Sequence, residues 1–299
     1  MSKPRQHSLL SQLVQTTLRL GHYLPSPIRT HFYWWLFRRP FLHRRGVEQL
    51  AILGQGKPFL VPSGPYLLRG YRYGSSGPSV ILTHGWQGSA ASWYRLIPLL
   101  REAGFSVVTF DAPGHSGAPR LATLPLYAQG LADVAALFSP VYALVGHSFG
   151  GMASARVARE LPELQALVIL AAPDRVRDLI DGFIRKTGLQ GVSRDEFERQ
   201  LTLASPVPVE QEATSLYLRQ LFCPVQVYHD EHDEVIPLED AQKIAHAVGQ
   251  RPNITQGLGH RRIIRDEATL AQIVEFLSNP AEGAVASSST EEAAALPPS

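Results

Sequence analysis

The sequence predicts an α/β protein built on a doubly wound, mostly parallel sheet. Short apolar segments rich in β-branched residues alternate with helix-forming segments along most of the chain, and parallel neighbouring strands require such crossover helices. One apolar segment ends in a sharp glycine-rich turn with a serine at its apex and continues as a helix. The 299 residues are 44% hydrophobic and 18% charged, a composition typical of a soluble globular protein with a sizeable core.

The cysteine content excludes a disulfide-stabilised protein, and the charge distribution argues against a nucleic-acid-binding domain. Cys223 is the single cysteine, so an intramolecular disulfide framework is excluded, and we interpret it as a small buried apolar residue. The first 50 residues contain eight basic side chains against one acidic one, and the tail from Ser278 contains three acidic and no basic ones. The basic character therefore belongs to the N-terminus, and we do not expect the main body to bind nucleic acid.

Residues 1–56 form a basic, aromatic extension that we predict to be helical. Residues 8–20 carry an apolar helical stripe that polar residues interrupt, so they do not resemble the continuous apolar core of a signal peptide. Residues 31–45 mix aromatic side chains with arginines and are much shorter in apolar sequence than the roughly 20 residues of a membrane span. A cytoplasmic protein is therefore expected.

Two interpretations of the aromatic segment remain open. In the first, a pair of helices docks its aromatic side chains onto the main domain. In the second, residues 1–45 make a peripheral contact with the inner membrane surface. Trp34 and Trp35 would then lie at the membrane interface, and the cations facing anionic headgroups would be Arg38, Arg39, Arg44 and Arg45.

Residues 57–278 carry the alternating pattern of the main domain. A hairpin over residues 59–61 and 66–73 comes first, and Arg69 and Arg72 among its apolar residues are typical of an edge strand with one solvated face. Further strands are predicted over residues 80–83, 105–110, 141–145, 167–172, 224–229 and 253–255. Helices are predicted over residues 92–103, 127–138, 152–160, 238–248 and 269–277.

Residues 173–221 interrupt this rhythm with helical pieces at 176–186, 195–203 and 210–220, separated by glycines and prolines. We predict a small helical lid inserted over the carboxyl edge of the strands, where the ligand crevice of such a sheet lies. Residues 279–299 are rich in Ala, Ser, Glu and Pro, and we predict a disordered tail.

Ser148 is the candidate nucleophile. The segment Gly146-His-Ser-Phe-Gly places it between a predicted strand and a predicted helix, so its hydroxyl would project from a strained turn. The flanking glycines are required there because a Cβ would collide where strand and helix approach each other.

A serine nucleophile needs a base, and His260 is the preferred one. It follows the last predicted strand in Gly257-Leu-Gly-His, where two glycines allow the loop to extend over the sheet edge. His84 and His147 belong to loops that flank the site, and His246 lies in a predicted helix. His115 adjoins Ser116, but neighbouring residues cannot easily face each other as nucleophile and base, so we interpret them as loop structure.

The base needs an orienting carboxylate, and Asp233 is the preferred one. It lies at the tip of the strand–helix loop just before Val235-Ile-Pro. Asp230 lies closer to the strand, where it would cap the turn, and Asp174 at the end of the preceding strand is the alternative. The chain order is then Ser, Asp, His.

These motifs resemble the α/β-hydrolase fold superfamily over about residues 59–277. The matching segments are His84-Gly-Trp, Asp111-Ala-Pro-Gly-His-Ser-Gly, Gly146-His-Ser-Phe-Gly-Gly, His229-Asp-Glu-His-Asp-Glu-Val-Ile-Pro and Gly257-Leu-Gly-His. The resemblance implies an oxyanion hole made by the backbone N–H groups of Trp86 and Phe149. It implies no cofactor and no metal.

The expected activity is hydrolysis of a small-molecule carboxylic ester or thioester through an acyl-enzyme on Ser148. Carbon–carbon bond hydrolysis and cofactor-free haloperoxidase chemistry use the same residue types. A non-catalytic ligand-binding or sensor protein on the same fold is the alternative from another class. A membrane-associated lipid hydrolase, delivered by the basic N-terminus, is the third hypothesis.

Overall fold

The computed structural model describes residues 23–41, 44–116, 119–219 and 221–280. The predicted helix over residues 8–20 and residues 281–299 of the predicted tail lie outside these ranges. The described chain forms two compact units. The helical unit consists of the chain up to Arg39 together with Val176–Glu212, and the sheet unit consists of Pro40–Arg175 and the chain from Ala213 onward.

The sheet unit contains eight strands within the described residues, in the order β1-β2-β4-β3-β5-β6-β7-β8. The strands are β1 (Lys57–Ser63), β2 (Tyr66–Tyr73), β3 (Ser79–Thr83), β4 (Ser106–Phe110), β5 (Val141–His147), β6 (Ala166–Leu170), β7 (Val225–Asp230) and β8 (Asn253–Thr255). Strand β2 pairs antiparallel with β1 and β4, and every other pairing is parallel. The predicted fold class is confirmed.

Burial on both faces explains the continuous apolar strands at the centre of the sheet. All residues of β4 and β6 are buried, and Val80 of β3 lies in register with Val107 and Ala143 of its two neighbours. The order of strands corrects one expectation, because β2 is an inner strand and β1 is the edge. Arg69 is exposed although β2 has partners on both sides, since only one face of that strand is covered.

The helices of the described chain are α1 (Ser26–Phe37), α2 (Val47–Gln55), α3 (Leu96–Glu102), α4 (Leu124–Leu137), α5 (Phe149–Ala158), α6 (Val176–Thr187), α7 (Gly191–Ala204), α8 (Thr214–Leu218), α9 (Leu238–His246), α10 (Gly259–Arg262) and α11 (Glu267–Ser278). Short 3₁₀ helices cover Ala90–Trp93, Val209–Gln211 and Ile263–Arg265. None of the helices in the described ranges is long and apolar enough to cross a membrane.

Local signals explain where the helices depart from the predicted bounds. The predicted helix over 92–103 is divided because Pro98 has no N–H to bond the carbonyl of residue 94, and α3 begins at Leu96 with the proline in its first turn. Helix α4 begins three residues earlier than predicted, where Thr123 Oγ1 accepts the Leu126 N–H at 3.4 Å. Helix α11 likewise begins early because Asp266 accepts the Thr269 N–H at 2.9 Å.

The unit boundary divides the predicted N-terminal extension. Helix α2 belongs to the sheet unit, where Ile52 joins the core beside β3 and β4, and Leu53 packs with Ala90 and Ala91. The predicted lid segment is also divided, since α8 belongs to the sheet unit and α6 and α7 belong to the helical unit. A lid role for the helical unit stays a prediction.

In the helical unit, the aromatic side chains of α1 pack on the two inserted helices. Trp34 is buried and meets Phe197 edge to face at 5.7 Å between ring centroids. Phe37 contacts both Phe183, at 5.1 Å, and Phe197, at 5.5 Å. Trp35 points outward with 39% of its surface exposed. The aromatic side chains therefore anchor α1 to α6 and α7, and Trp34 is buried in that contact.

We expect Trp34→Ala to lower the free energy of unfolding by about 3–5 kcal/mol, because it removes the centre of this aromatic cluster. Trp35→Ala is the matched control and should cost less than about 1 kcal/mol. Chemical denaturation followed by circular dichroism measures both variants. Equal losses would contradict the packing of α1 on α6 and α7.

Candidate active site

Ser148 lies on a strained turn between β5 and α5. Its φ of 55° is in the left-handed region that non-glycine residues rarely adopt. The Ser148 N–H donates to the Leu170 carbonyl of β6 at 2.8 Å, and α5 begins at the next residue. The turn therefore fixes the serine backbone against the neighbouring strand and leaves the side chain to project from the apex.

The close approach of three backbone segments requires glycine around Ser148. A Cβ on Gly146 would lie 2.6 Å from the Gly150 carbonyl oxygen, and one on Gly150 would lie 2.3 Å from the His84 carbonyl oxygen. A Cβ on Gly85 would lie 2.8 Å from the Ser148 Cβ. The steric reason predicted for Gly146 and Gly150 is confirmed. The close approach of Gly85 also brings the following residue, Trp86, near Ser148.

A continuous hydrogen-bonded chain connects the three predicted side chains. His260 Nε2 lies 3.0 Å from Ser148 Oγ, and His260 Nδ1 lies 2.8 Å from Asp233 Oδ2. Ser148 is 7% exposed, and the Asp233 side chain is fully buried. His260 is the second residue of the short helix α10, where a loop was expected. The three side chains have the mutual geometry that acyl transfer requires of a nucleophile, a base and an orienting acid.

Asp233 is held in its ionised form. Burial disfavours the charge, but the His260 ring and the backbone N–H groups of Ile236 and Val235 outweigh it and keep the pKa of Asp233 below its usual value. Its Oδ1 accepts those two N–H groups at 3.0 and 2.8 Å, which leaves Oδ2 for His260. An ionised carboxylate in this position fixes the imidazole tautomer with the proton on Nδ1 and the free lone pair directed at Ser148.

The two other candidate carboxylates have structural partners. Asp230 accepts hydrogen bonds from Thr255 Oγ1 and the Leu258 N–H, both at 2.9 Å, so it caps the loop that carries His260. Asp174 accepts the Ser215 N–H at 2.9 Å. The expected capping role of Asp230 is therefore observed, and Asp233 is the carboxylate that contacts His260.

Trp86 and Phe149 lie close to Ser148, since Phe149 directly follows it and Trp86 directly follows Gly85, whose Cβ position is 2.8 Å from the Ser148 Cβ. Phe149 is the first residue of α5, where the leading N–H groups of a helix have no partner within the helix. Among the described residues, no backbone carbonyl accepts a hydrogen bond from the N–H of either residue. The two rings meet edge to face at 5.3 Å. Their N–H groups are therefore available to an oxyanion beside Ser148, and that role stays a prediction.

Three further histidines near the site are neutral. Burial lowers the pKa of His84 to about 4, that of His115 to about 3 and that of His147 to about 3. His84 bonds the Gly85 carbonyl at 2.8 Å and accepts the Ala112 N–H at 3.0 Å, so it links the Trp86 loop to the end of β4. His147 Nε2 donates to the His260 carbonyl at 2.8 Å. The expectation that His147 belongs to a flanking loop is wrong, since it is the last residue of β5, and its contact with the His260 backbone was not predicted.

Cys223 is half-buried, and burial raises the pKa of its thiol to about 11. A thiol of this kind stays protonated near neutral pH, although Cys223 is less buried than expected. Within the described ranges, no three His, Cys, Asp or Glu side chains form a group that could ligate a metal ion.

Ser148 and His260 open into a cavity of about 790 Å³ within the sheet unit. Its walls combine Trp86, Leu50, Val235 and Ile264 with a set of polar and basic side chains. A cavity of this size accommodates a small organic molecule.

Comparison with known proteins identifies the family. The profile of the alpha/beta hydrolase family matches residues 80–274, more than half of the chain. The chain therefore belongs to the alpha/beta hydrolase family.

Two curated relatives match short parts of the chain. A serine hydrolase-like protein from Homo sapiens is 36% identical over 104 residues, which are 32% of this chain and 51% of the relative. A pimeloyl-(acyl-carrier protein) methyl ester esterase from Aeromonas hydrophila is 32% identical over 103 residues, which are 34% of this chain and 40% of the relative. The chain thus spans about half or less of the length of these relatives.

Solved structures share the fold at low identity. A bromoperoxidase from Bacillus anthracis superposes with a TM-score of 0.57 at 18% identity, covering 75% of this chain and 100% of that one. This likeness shows the fold alone, and the chemistry depends on the site.

We expect the free energy of unfolding to fall as pH decreases from 7 to 5. The unfolded histidines protonate near pH 6.5, whereas buried His84, His115 and His147 protonate only near pH 3–4. The unfolded state therefore binds more protons in this window, and each histidine contributes up to about 1.4 kcal/mol per pH unit. Urea denaturation at each pH measures the slope.

His147→Gln removes one of the three histidines, so it should reduce the slope by the contribution of one histidine, up to about 1.4 kcal/mol per pH unit. A stability that is constant between pH 7 and 5 would show that these histidines are not neutral and buried in the native state.

Proposed function

We propose that the protein is a serine hydrolase that cleaves a carboxylic ester or thioester through an acyl-enzyme on Ser148. The hydrogen-bonded chain Ser148–His260–Asp233, at 3.0 and 2.8 Å, is the observation that carries this proposal. The Aeromonas relative is named for the hydrolysis of a methyl ester, which supports ester chemistry in this family.

In the first half-reaction, His260 Nε2 accepts the Ser148 proton while Ser148 Oγ attacks the substrate carbonyl carbon. The backbone N–H groups of Trp86 and Phe149 stabilise the negative charge that develops on the carbonyl oxygen. The tetrahedral intermediate then expels the alcohol or thiol, which leaves with the proton from His260. Ser148 retains the acyl group.

In the second half-reaction, His260 removes a proton from water, and the resulting hydroxide attacks the acyl-enzyme. The acid leaves, and the proton returns to Ser148. Asp233 stays ionised throughout and stabilises the protonated imidazole. The serine favours this reaction over the chemistry of relatives with an aspartate nucleophile, whose covalent intermediate is an ester of the enzyme carboxylate.

We expect Ser148→Ala to abolish labelling by a fluorophosphonate probe and to lower kcat on p-nitrophenyl esters by about 10³–10⁶, because the acyl-enzyme cannot form. Ser116→Ala is the matched control, since Ser148 is the serine whose hydroxyl lies within hydrogen-bond distance of His260 in the described part of the chain. A folded wild-type protein that is neither labelled nor active would favour a ligand-binding or sensor protein.

We expect Asp233→Asn to lower kcat by about 10³–10⁴ with little change in KM, because the amide cannot fix the tautomer or stabilise the imidazolium. Asp174→Asn keeps an oxygen for the Ser215 N–H and should retain activity. Steady-state kinetics on one p-nitrophenyl ester compares the two variants. A greater loss in Asp174→Asn would assign the orienting role to the other carboxylate.

The peripheral membrane contact through residues 1–45 remains part of the proposal for a lipid substrate. Flotation with anionic vesicles tests it, since the full-length protein should bind, and a variant without these residues should lose binding while it retains turnover of a soluble ester. Absence of binding by the full-length protein would restrict the substrate to a soluble ester.

A further inference from the structure

The cavity that contains Ser148 has an excess of positive charge. Four arginines line it, and the described residues of its wall include no aspartate or glutamate. The four are Arg44, Arg45, Arg261 and Arg265. The residues of the hydrogen-bonded chain need no such cations, because the negative charge of Asp233 is already shared with His260 and two backbone N–H groups.

One of these arginines has a structural partner. Arg45 makes two hydrogen bonds to the buried carboxylate of Asp111, at 3.0 and 2.8 Å, and this ion pair joins the segment before α2 to the end of β4. The charge of Arg45 is therefore compensated within the fold.

The other three arginines have no carboxylate partner among the described residues. Arg44, Arg261 and Arg265 are exposed, and none forms an ion pair there. The guanidinium carbon of Arg265 lies over the ring of Tyr94, 5.8 Å from its centroid. Uncompensated cations around one concave surface raise the local concentration of an anionic ligand.

Arg261 and Arg265 lie close in the chain to His260. Arg261 directly follows His260 in α10, and Arg265 is four residues after Arg261, at the end of the 3₁₀ helix that continues α10. Both arginines therefore lie on the helical segment that carries His260. Arg261 Nη2 donates to Gln87 Oε1 at 3.1 Å, and Gln87 directly follows Trp86 with a φ of 66°. Arg261 therefore bridges the segment of the base and the loop of the predicted oxyanion hole.

We propose that the substrate is an anionic ester or thioester, in which a carboxylate or phosphate group is bound by Arg261 and Arg265 while the acyl carbonyl lies at Ser148. Arg44 adds charge on the same wall. Guanidinium groups present paired N–H donors that match the oxygens of carboxylate and phosphate, which makes these two anions the chemical classes that fit. The proposal rests on the serine hydrolase function and names its substrate class.

The anion has two sources, either a carboxylate at the far end of the acyl chain or a phosphate in the leaving alcohol or thiol. The first arm of the test compares monomethyl esters of straight-chain dicarboxylic acids with methyl esters of monocarboxylic acids of equal length. The second arm compares an acyl-coenzyme A with the neutral N-acetylcysteamine thioester of the same acyl group.

In the arm with the correct source, we expect kcat/KM for the anionic substrate to exceed that for its neutral match by about ten-fold or more. The preference should decrease as NaCl rises from 0.05 to about 0.5 M, because salt screens exposed charges. Equal kcat/KM in both arms overturns the substrate class and leaves the serine hydrolase proposal intact. No turnover and no fluorophosphonate labelling overturns both.

Replacement of both arginines, Arg261→Gln with Arg265→Gln, should raise KM for the preferred anionic substrate and reduce its advantage over the neutral match by about ten-fold. Arg251→Gln is the matched control, since Arg251 is exposed, carries the same charge and is absent from the cavity wall. An unchanged preference in the double variant overturns the assignment. The salt dependence of the wild-type protein tests the same point without a substitution.

Discussion

The close approach of three backbone segments at Ser148 is the constraint on which the site depends. Strand β5, the start of α5 and the loop after β3 approach so closely that Gly85, Gly146 and Gly150 have no room for a Cβ. This contact forces Ser148 into a left-handed conformation and directs the N-terminus of α5 at the reacting atoms. Strand β5 pairs in parallel with β3 and β6, so Ser148 and the N-terminus of α5 are attached directly to the centre of the sheet.

His260 and Asp233 come from more distant segments of the chain, and polar contacts fix their positions. Asp230 caps the loop after β8, while His147 donates to the His260 carbonyl. Asp233 is fixed by two backbone N–H groups of its own loop before it contacts His260. The geometry of Ser148, His260 and Asp233 thus rests on hydrogen bonds between separate segments of the chain, and the neutral buried histidines around them link the stability of the site to pH.

The arginines show how one residue type has different roles in the same fold. Arg45 compensates the buried charge of Asp111, and Arg38 lies over the ring of Trp34 at 4.3 Å in the helical unit. Arg261 instead faces the cavity beside the predicted oxyanion loop. From the sequence, the N-terminal arginines form one basic segment. The order of charges along a chain does not reveal which side chains form ion pairs with a carboxylate.

The sequence by itself determined the sheet, the turn at Ser148 and the requirement for glycine beside it, because strand periodicity and backbone sterics are local properties. It also limited the base and the acid to a few residues in two loops. Only the tertiary structure decided that Asp233, rather than Asp230 or Asp174, contacts His260, and that β2 is an inner strand. The sequence also did not reveal the uncompensated positive charge of the cavity. All three features depend on contacts between residues far apart in the chain.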